Sequence, residues 1–316
     1  MKELKVSSFN QDQKLIRFLE RILKNAGSSF LDKMLRKKNI TLNGKKASGN
    51  EILKSGDVVR VFFSDETFSK MAGSDPVQTH SASANHSYPR APFPLQILYE
   101  DADLLAVNKP AGILSQKSDK REDSMNEYLI RYCLDQGRLT EEDLKNFRPS
   151  VINRLDRNTS GILLFGKTIR GLHLGADLVR SHEGQKTYHC IVSGDSSLFR
   201  ERKLVRGWLL KDPKRNIVSY FDHEIEKGLY MEEEVFLLKR KGNYSLLEVV
   251  LHTGRSHQIR SSLSALACPI VNDKKYGGVV LEKHPSGQLL HAAALTLPNG
   301  VRIECPDPES FSWFGL

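Results

Sequence analysis

Leu15, Ile16, Leu19, Ile22 and Leu23 recur at helical spacing, which predicts an amphipathic helix from Asp12 to Leu23 with Asp12 as its N-cap. A second helix is expected from Phe30 to Lys38, capped by Ser28 or Ser29. It turns Phe30, Leu31, Met34 and Leu35 inward and leaves Lys33, Arg36, Lys37 and Lys38 to solvent. The pattern then shortens. Ile40-Thr41-Leu42 reads as a strand entering a tight turn at Asn43-Gly44, and Val58 to Phe62 as another strand. From Ser64 to Pro94 large apolar residues are scarce, so this stretch is expected to be a flexible linker, with His80 and His86 solvated.

Beyond residue 95 short apolar runs dominate. Leu95 to Val107 predicts two strands around the acidic turn Glu100 to Asp103, and Ile162 to Phe165 a buried central strand. Further strands are expected within Ser181–Gly194, Leu204–Lys239 and Tyr244–Leu251. Helices are expected over Ser124–Leu134, Thr140–Phe147, Gly171–Val179 and Ser256–Leu266, the second opening on a Thr-x-x-Asp box. Strands do not alternate with long helices and no glycine-rich phosphate loop is present, which argues against a doubly wound parallel fold. The expectation is an α+β chain in three parts: 1–63 a small module, 64–94 a linker, 95–316 the main domain.

At 316 residues the chain is long enough for a full core plus an accessory domain. Its 47 Lys and Arg against 38 Asp and Glu give a net charge of +9, which suits a polyanionic partner. No long apolar run or leader pattern is seen, so a cytoplasmic protein without a membrane span is expected. Cys133, Cys190, Cys268 and Cys305 are far apart, which points to buried free thiols rather than disulfides or zinc. His252, His257, Cys268 and His291 lack a recognised ligand spacing, so no metal is expected.

The densest chemistry lies at Asn153-Arg154-Leu155-Asp156-Arg157-Asn158-Thr159-Ser160-Gly161. A carboxylate between two arginines should stay ionised, which suits a nucleophile or base, and equally suits a turn or a surface ion pair. Arg154 to Gly161 followed by an apolar strand resembles the central motif of the RluA-type pseudouridine synthases, which act on structured RNA. Three further stretches agree in order: Glu100 to Gly112, Lys186-Thr187-Tyr188, and Thr253-Gly254-Arg255-Ser256-His257-Gln258-Ile259-Arg260. The resemblance runs from Leu95 to the C-terminus and is least typical at 195–243. One departure is Asn153, where the family usually has histidine.

This resemblance implies a mixed, mostly antiparallel sheet with flanking helices. It assigns Asp156 as the catalytic residue, Tyr188 as a platform and hydroxyl donor for a flipped uracil, and Arg260 as the partner of Asp156. On that reading, losing Arg260 costs activity more than stability. Arg154 would fill the gap left by the uridine, while Lys109, Arg255 and His257 would contact RNA. Gln11 to Phe63 resembles the small RNA-binding module of a small-subunit ribosomal protein, with Lys33, Arg36, Lys37 and Lys38 on phosphates. The implied reaction breaks the uridine N1–C1′ bond, turns the base and joins C5 to C1′. An isomerisation needs no cofactor, metal or energy donor. Asp156 would attack C1′ or take a proton from C2′, and the sequence does not choose.

The expected partner is RNA, foremost ribosomal RNA or its precursor, and the expected state a monomer. Two rivals are weaker. A noncatalytic RNA-binding or ribosome-assembly factor could dispense with Asp156, Tyr188 or Arg260, yet all three are present. A glycosidic hydrolase would want a second carboxylate beside the first, and Asp101 and Asp103 read as turn residues.

Overall fold

Leu15 and Leu19 leave one helix on the same side, Leu31 and Leu35 leave the next, and together they form a buried apolar layer. The computed structural model describes residues 1–72, 88–117, 122–180, 184–282 and 287–315. The helices are Leu15–Ile22 and Ser28–Arg36. They cover a four-stranded antiparallel sheet of β1 (Lys2–Lys5), β2 (Ile40–Leu42), β3 (Lys45–Lys46) and β4 (Val58–Val61), in the order β1-β4-β2-β3. Asn43 and Gly44, both at positive φ, make the expected turn between β2 and β3. Asp12 is not the expected cap: it sits at φ 61°, and the N-cap position falls to Lys14, without a side-chain hydrogen bond. Gly27 likewise takes the position expected of Ser28 or Ser29.

The expected linker at 64–94 is corrected at both ends. Asp65–Ala72 is a helix, and its Phe68 and Met71 pack on the N-terminal core, so that unit runs to Ala72 rather than residue 63. Two large side chains suffice because the core beneath already offers an apolar surface. At the other end Tyr88, Ala91 and Phe93 pack against the main domain. Residues 73–87, including His80 and His86, lie outside the described residues.

The main domain is organised by one long sheet. Its strands are β5 (Gln96–Glu100), β6 (Leu104–Lys109), β7 (Ser150–Val151), β8 (Ser160–Gly166), β9 (Lys186–Ser193), β10 (Lys203–Asp212), β11 (Ile217–Phe221), β12 (Leu229–Lys241), β13 (Tyr244–Leu251), β14 (Leu290–Thr296) and β15 (Arg302–Glu304). The order is β11-β10-β12-β13-β9-β14-β8-β6-β5, with β7 on β8 and β15 on β14. The sheet is mostly antiparallel, and among the described residues only β14 and β8 pair in parallel. One core lies around β6, β8 and the helix Met125–Asp135; the other lies around β9, β12, β13 and the helix Gln258–Ala265. Tyr188 touches both. All four cysteines are buried and free. Thr140 and Asp143 make the capping box expected of Thr-x-x-Asp, ahead of the helix Glu141–Asn146.

The β8–β14 pairing brings the start of β8 against a late strand. Ser160 lies opposite His291 and Gly161 opposite Ala292. His291 is fully buried, and burial lowers its pKa, so the ring is neutral; one nitrogen meets Ser160 Oγ at 2.8 Å and the other the Cys305 carbonyl at 3.3 Å. Gly161 sits at φ 105°, and a Cβ there would overlap the Ala292 backbone. Gly161→Ala is therefore expected to destabilise the domain by about 2–4 kcal/mol, combining backbone strain with a clash that has no flexible side chain to absorb it. Urea unfolding midpoints of the two proteins measure this.

Candidate active site

Asp156 sits in a loop held by several tethers along its length. Asn153 Nδ2 donates to the Ile162 carbonyl at 3.0 Å and its Oδ1 accepts from the Leu164 N–H at 2.7 Å, which folds the loop onto β8. Leu155 is buried, and Ser115 Oγ both accepts its N–H at 3.0 Å and donates to its carbonyl at 2.9 Å. The Thr159 N–H closes a turn onto the Asp156 carbonyl at 3.0 Å, and Gln288 Nε2 donates to Thr159 Oγ1 at 3.1 Å. A carboxylate on such a loop is held in place before any substrate arrives.

Lys109 supplies another tether, which corrects its expected role. Its side chain is fully buried, and Nζ donates to the carbonyls of Pro110, Ile113 and Arg157 at 2.8–2.9 Å. Three acceptors match the three N–H bonds of an ammonium, so none is left for an RNA phosphate. Burial draws its pKa down to about 7, while the negative charge of Asp156 opposes that shift.

The flanking arginines do not hold Asp156, contrary to the local reading. Arg157 turns away to Glu122 at 2.6 Å, and Arg154 is exposed, with no hydrogen bond or ion pair among the described residues. The partner arrives from 104 residues away: Arg260 Nη1 donates to Asp156 Oδ2 at 2.6 Å. The same guanidinium grips Asp273 with two bonds, Nε to Oδ2 at 2.6 Å and Nη2 to Oδ1 at 2.9 Å. Asp273 is 1% exposed, whereas the Asp156 side chain is 31% exposed, and its Oδ1 has no hydrogen bond among the described residues. Burial would lower the Arg260 pKa, but the two carboxylates outweigh it and raise the value.

Two aromatic groups complete the surroundings. Tyr276 lies 5.0 Å under the Arg260 guanidinium, accepts the Val218 N–H at 2.9 Å and meets His257 Nδ1 at 2.7 Å. The other ring nitrogen, His257 Nε2, lies 3.9 Å from Asp156 Oδ2. Burial lowers the His257 pKa against the pull of Asp156, so the ring is neutral at pH 7. His257 therefore faces the carboxylate from within, 11% exposed, rather than standing out as a cation for phosphate. Tyr188 on β9 is half-buried, and its hydroxyl has no hydrogen-bond partner among the described residues. Burial, and then the Asp156 charge, raise its pKa, so it remains a neutral donor.

Sequence reasoning missed the support behind the helix Gln258–Ala265. Glu233 on β12 is fully buried and accepts from Ser262 Oγ at 2.5 Å and Gln258 Nε2 at 3.0 Å. Gln258 Oε1 in turn accepts from Thr253 Oγ1 at 2.8 Å and the Arg255 N–H at 3.1 Å, which fixes the turn before Arg260. Burial pushes the Glu233 carboxyl up to about 7 against these hydrogen bonds. Glu233 is the middle of three consecutive glutamates, and nothing in the sequence singles it out for this role. Asp273 and Tyr276 lie outside the four stretches that carried the resemblance.

The remaining expected residues lie at the surface. Arg255 is exposed, with Nε donating to the Tyr230 carbonyl at 3.1 Å. Lys33, Arg36, Lys37 and Lys38 are exposed, and none has a carboxylate partner among the described residues. Also among the described residues, no group of three His, Cys, Asp or Glu side chains is placed to hold a metal.

The shared guanidinium adds a stability cost to the activity cost expected of Arg260. Arg260→Ala strands a fully buried Asp273, so the expected loss is about 3–5 kcal/mol of stability together with activity. Thermal or urea unfolding beside a turnover assay measures both. Glu233 gives a pH signature. Its folded value lies above the ordinary value of about 4.3, so the folded state holds a proton that the unfolded chain lacks, and stability falls as pH rises through that window to about 7. Glu233→Gln has no such proton. Urea midpoints at about pH 5 and about pH 8 should show the variant gaining on the wild type by on the order of 2–3 kcal/mol at the higher pH.

The chain matches the family described as RNA pseudouridylate synthase over residues 103–265. It is 30% identical over 208 residues to ribosomal large subunit pseudouridine synthase D of Borreliella burgdorferi, covering 66% of this chain and 62% of that one. It is 29% identical over 289 residues to ribosomal large subunit pseudouridine synthase C of Rickettsia bellii, covering 91% of this chain and 90% of the relative. The solved structure of human RNA pseudouridylate synthase domain containing 1 shares its fold, with a TM-score of 0.56 at 22% identity, over 70% of this chain and 86% of that one. The family match spans both the aspartate loop and the arginine that reaches it, and by it the chain belongs to the RNA pseudouridine synthases, which isomerise uridine in RNA to pseudouridine.

Proposed function

We propose that the chain modifies uridines of large-subunit ribosomal RNA, with Asp156 as the catalytic carboxylate. The observation that carries this reading is the division of labour at Asp156: one oxygen is held at 2.6 Å by a buried arginine, and the other is open at a partly exposed side chain. Its free oxygen is the one that meets the ribose. It either attacks C1′ as the N1 bond breaks, or takes the C2′ proton as that bond breaks; the base then turns and C5 bonds to C1′ as the bond to Asp156 breaks or the C2′ proton returns, and C5 loses its proton while N1 gains one. No atom enters or leaves. Arg260 keeps the charge in place and Tyr188, with its unused hydroxyl, stacks on or donates to the turned uracil. Arg154, exposed beside the loop, is the side chain offered for the gap in the RNA.

The ribosomal substrate is taken from the names of the relatives and agrees with the net charge of +9. Lys33, Arg36, Lys37 and Lys38 on the N-terminal unit, and Arg255 beside the site, supply exposed cations for phosphates. The reading extends to a monomer working in the cytoplasm, where ribosomes are; no described helix is long and apolar enough to cross a membrane.

The test is Asp156→Asn, which preserves shape and removes the charge. It is expected to lower pseudouridine formation at least 1,000-fold, roughly the effect of losing an essential nucleophile or base, while RNA affinity stays within about two-fold. Pseudouridine mapping of RNA from a strain lacking the gene, complemented with wild type or variant, reads both the chemistry and the site. Modification restored by the Asn variant would remove Asp156 from its role. Losses confined to tRNA would remove ribosomal RNA as the substrate.

A further inference from the structure

Lys186 opens β9 two residues before Tyr188, so the two side chains leave the strand on one face, with their Cα atoms about 7 Å apart. That face is the one under the helix Gln258–Ala265. Lys186 pairs with Leu251 and Leu251 with Glu233, whose carboxyl bonds Ser262 and Gln258 of that helix. Directly opposed residues share a face, so Lys186 stands on the side of the sheet that carries Arg260 and the aspartate it holds. None of the steps assigned to Asp156, Arg260 and Tyr188 uses it.

The buried lysines and arginine among the described residues are all matched. Lys109 has three carbonyls, Lys167 has Glu100 at 2.9 Å, and Arg260 has two aspartates. Lys186 is half-buried, and it makes no hydrogen bond or ion pair among the described residues. Burial lowers its pKa with no carboxylate opposing the shift, whereas the charge of Asp156 opposes it at Lys109. The other acidic side chains of β12 and β13, Glu232, Glu234 and Glu248, leave the opposite face and are held there by Arg206 and Arg202. An ammonium withdrawn from water without a counter-charge costs stability, and an arriving anion offsets that cost.

The way to this ammonium is open. Gly254 is exposed, and a Cβ built on it would have only Lys186 Nζ within 4 Å, at 3.8 Å. Gly254 is not at positive φ, so the backbone does not call for glycine there; what its bare Cα does is leave Nζ uncovered. Arg255, exposed on the same turn, adds a second cation beside it.

We propose that Lys186 binds a backbone phosphate of the RNA next to the target uridine, reached past Gly254, and so fixes which nucleotide of the strand enters the site. Tyr188 lies against the base while Lys186, further along the same face, takes the neighbouring charge. Such a contact sets register and orientation without reading sequence. The inference rests on RNA being the substrate at Asp156.

The test uses the full chain with Lys186→Met, Lys186→Arg and Gly254→Leu, and an unmodified RNA fragment carrying the uridine found by pseudouridine mapping. Lys186→Met keeps the apolar stem and removes the charge. It is expected to bind about ten-fold more weakly in low salt, to lower the slope of log affinity against log salt by about one, and to lose kcat/KM through KM. Its urea midpoint should equal or exceed that of wild type, because an unmatched charge has been removed from a half-buried position. Lys186→Arg should keep the wild-type slope, and Gly254→Leu should reproduce the loss with the lysine still present. Uncharged methylphosphonates placed one at a time at the linkages around the uridine locate the contact: at one of them wild type should fall to the affinity of Lys186→Met, and the variant should lose nothing more. Equal affinities and parallel slopes for wild type and Lys186→Met would overturn the assignment. So would a fall in kcat at unchanged KM, a lowered urea midpoint, or the absence of any linkage that removes the difference between the two proteins. Wild-type turnover with none of these differences sinks only the role of Lys186, whereas a wild type that modifies no RNA sinks the reading of the site as well.

Discussion

Everything at the active site depends on one guanidinium shared by two carboxylates. Arg260 is buried, and a buried cation needs partners that use its donors fully. Asp273 takes Nε and Nη2, which fixes the plane of the fork and leaves Nη1 aimed at Asp156. The arrangement carries one negative charge in excess. Lys109 is buried against the same loop, and the charge of Asp156 opposes the fall of its pKa to about 7. The surplus charge sits at the outer edge of the arrangement, on the one member open to a substrate.

Placement of Asp156 comes from two directions that are remote in sequence. From one side β6 delivers Lys109, and Ser115 follows it, and both grip the backbone of the aspartate loop. From the other, β12 and β13 set the turn at Thr253 through Glu233 and Gln258, and with it the register of the helix bearing Arg260. β14 lies between the two halves, pairing with β8 and β9. The close approach at Gly161 and the buried bond from Ser160 to His291 join the start of β8 to that strand. A small shift of either half would be felt at the 2.6 Å contact.

The N-terminal unit shows how a weakly apolar segment gains structure from what it lies on. Asp65–Ala72 has no side chain that is itself fully buried, and alone it would not form a stable helix. Laid against the leucine layer it covers the edge of an existing core through Phe68 and Met71. The basic helix Ser28–Arg36 ends just before Lys37 and Lys38, so two of its four outward cations stand on the turn that closes it rather than on the helix.

Strong periodic signals were determined by sequence alone. The alternation in Tyr244–Leu251 gave that strand to the residue and the Thr140 box gave its helix start, whereas the pairing of Asp156 with Arg260 was implied by the family resemblance. The first two features are local, or repeat a pattern whose spacing is its own information. Tertiary structure decided the rest. Lys109 and Arg157 look alike as cations beside a loop, yet one is sealed under three carbonyls and the other points outward to Glu122, because burial depends on which strand lies above. Glu233 lies in an acidic run with Glu232 and Glu234, and only the pleat of β12 turns it into the core while its neighbours face solvent-side cations. That Asp273 would claim most of the fork of Arg260 follows from a turn folding back on a helix, a distance in space that spacing along the chain does not encode.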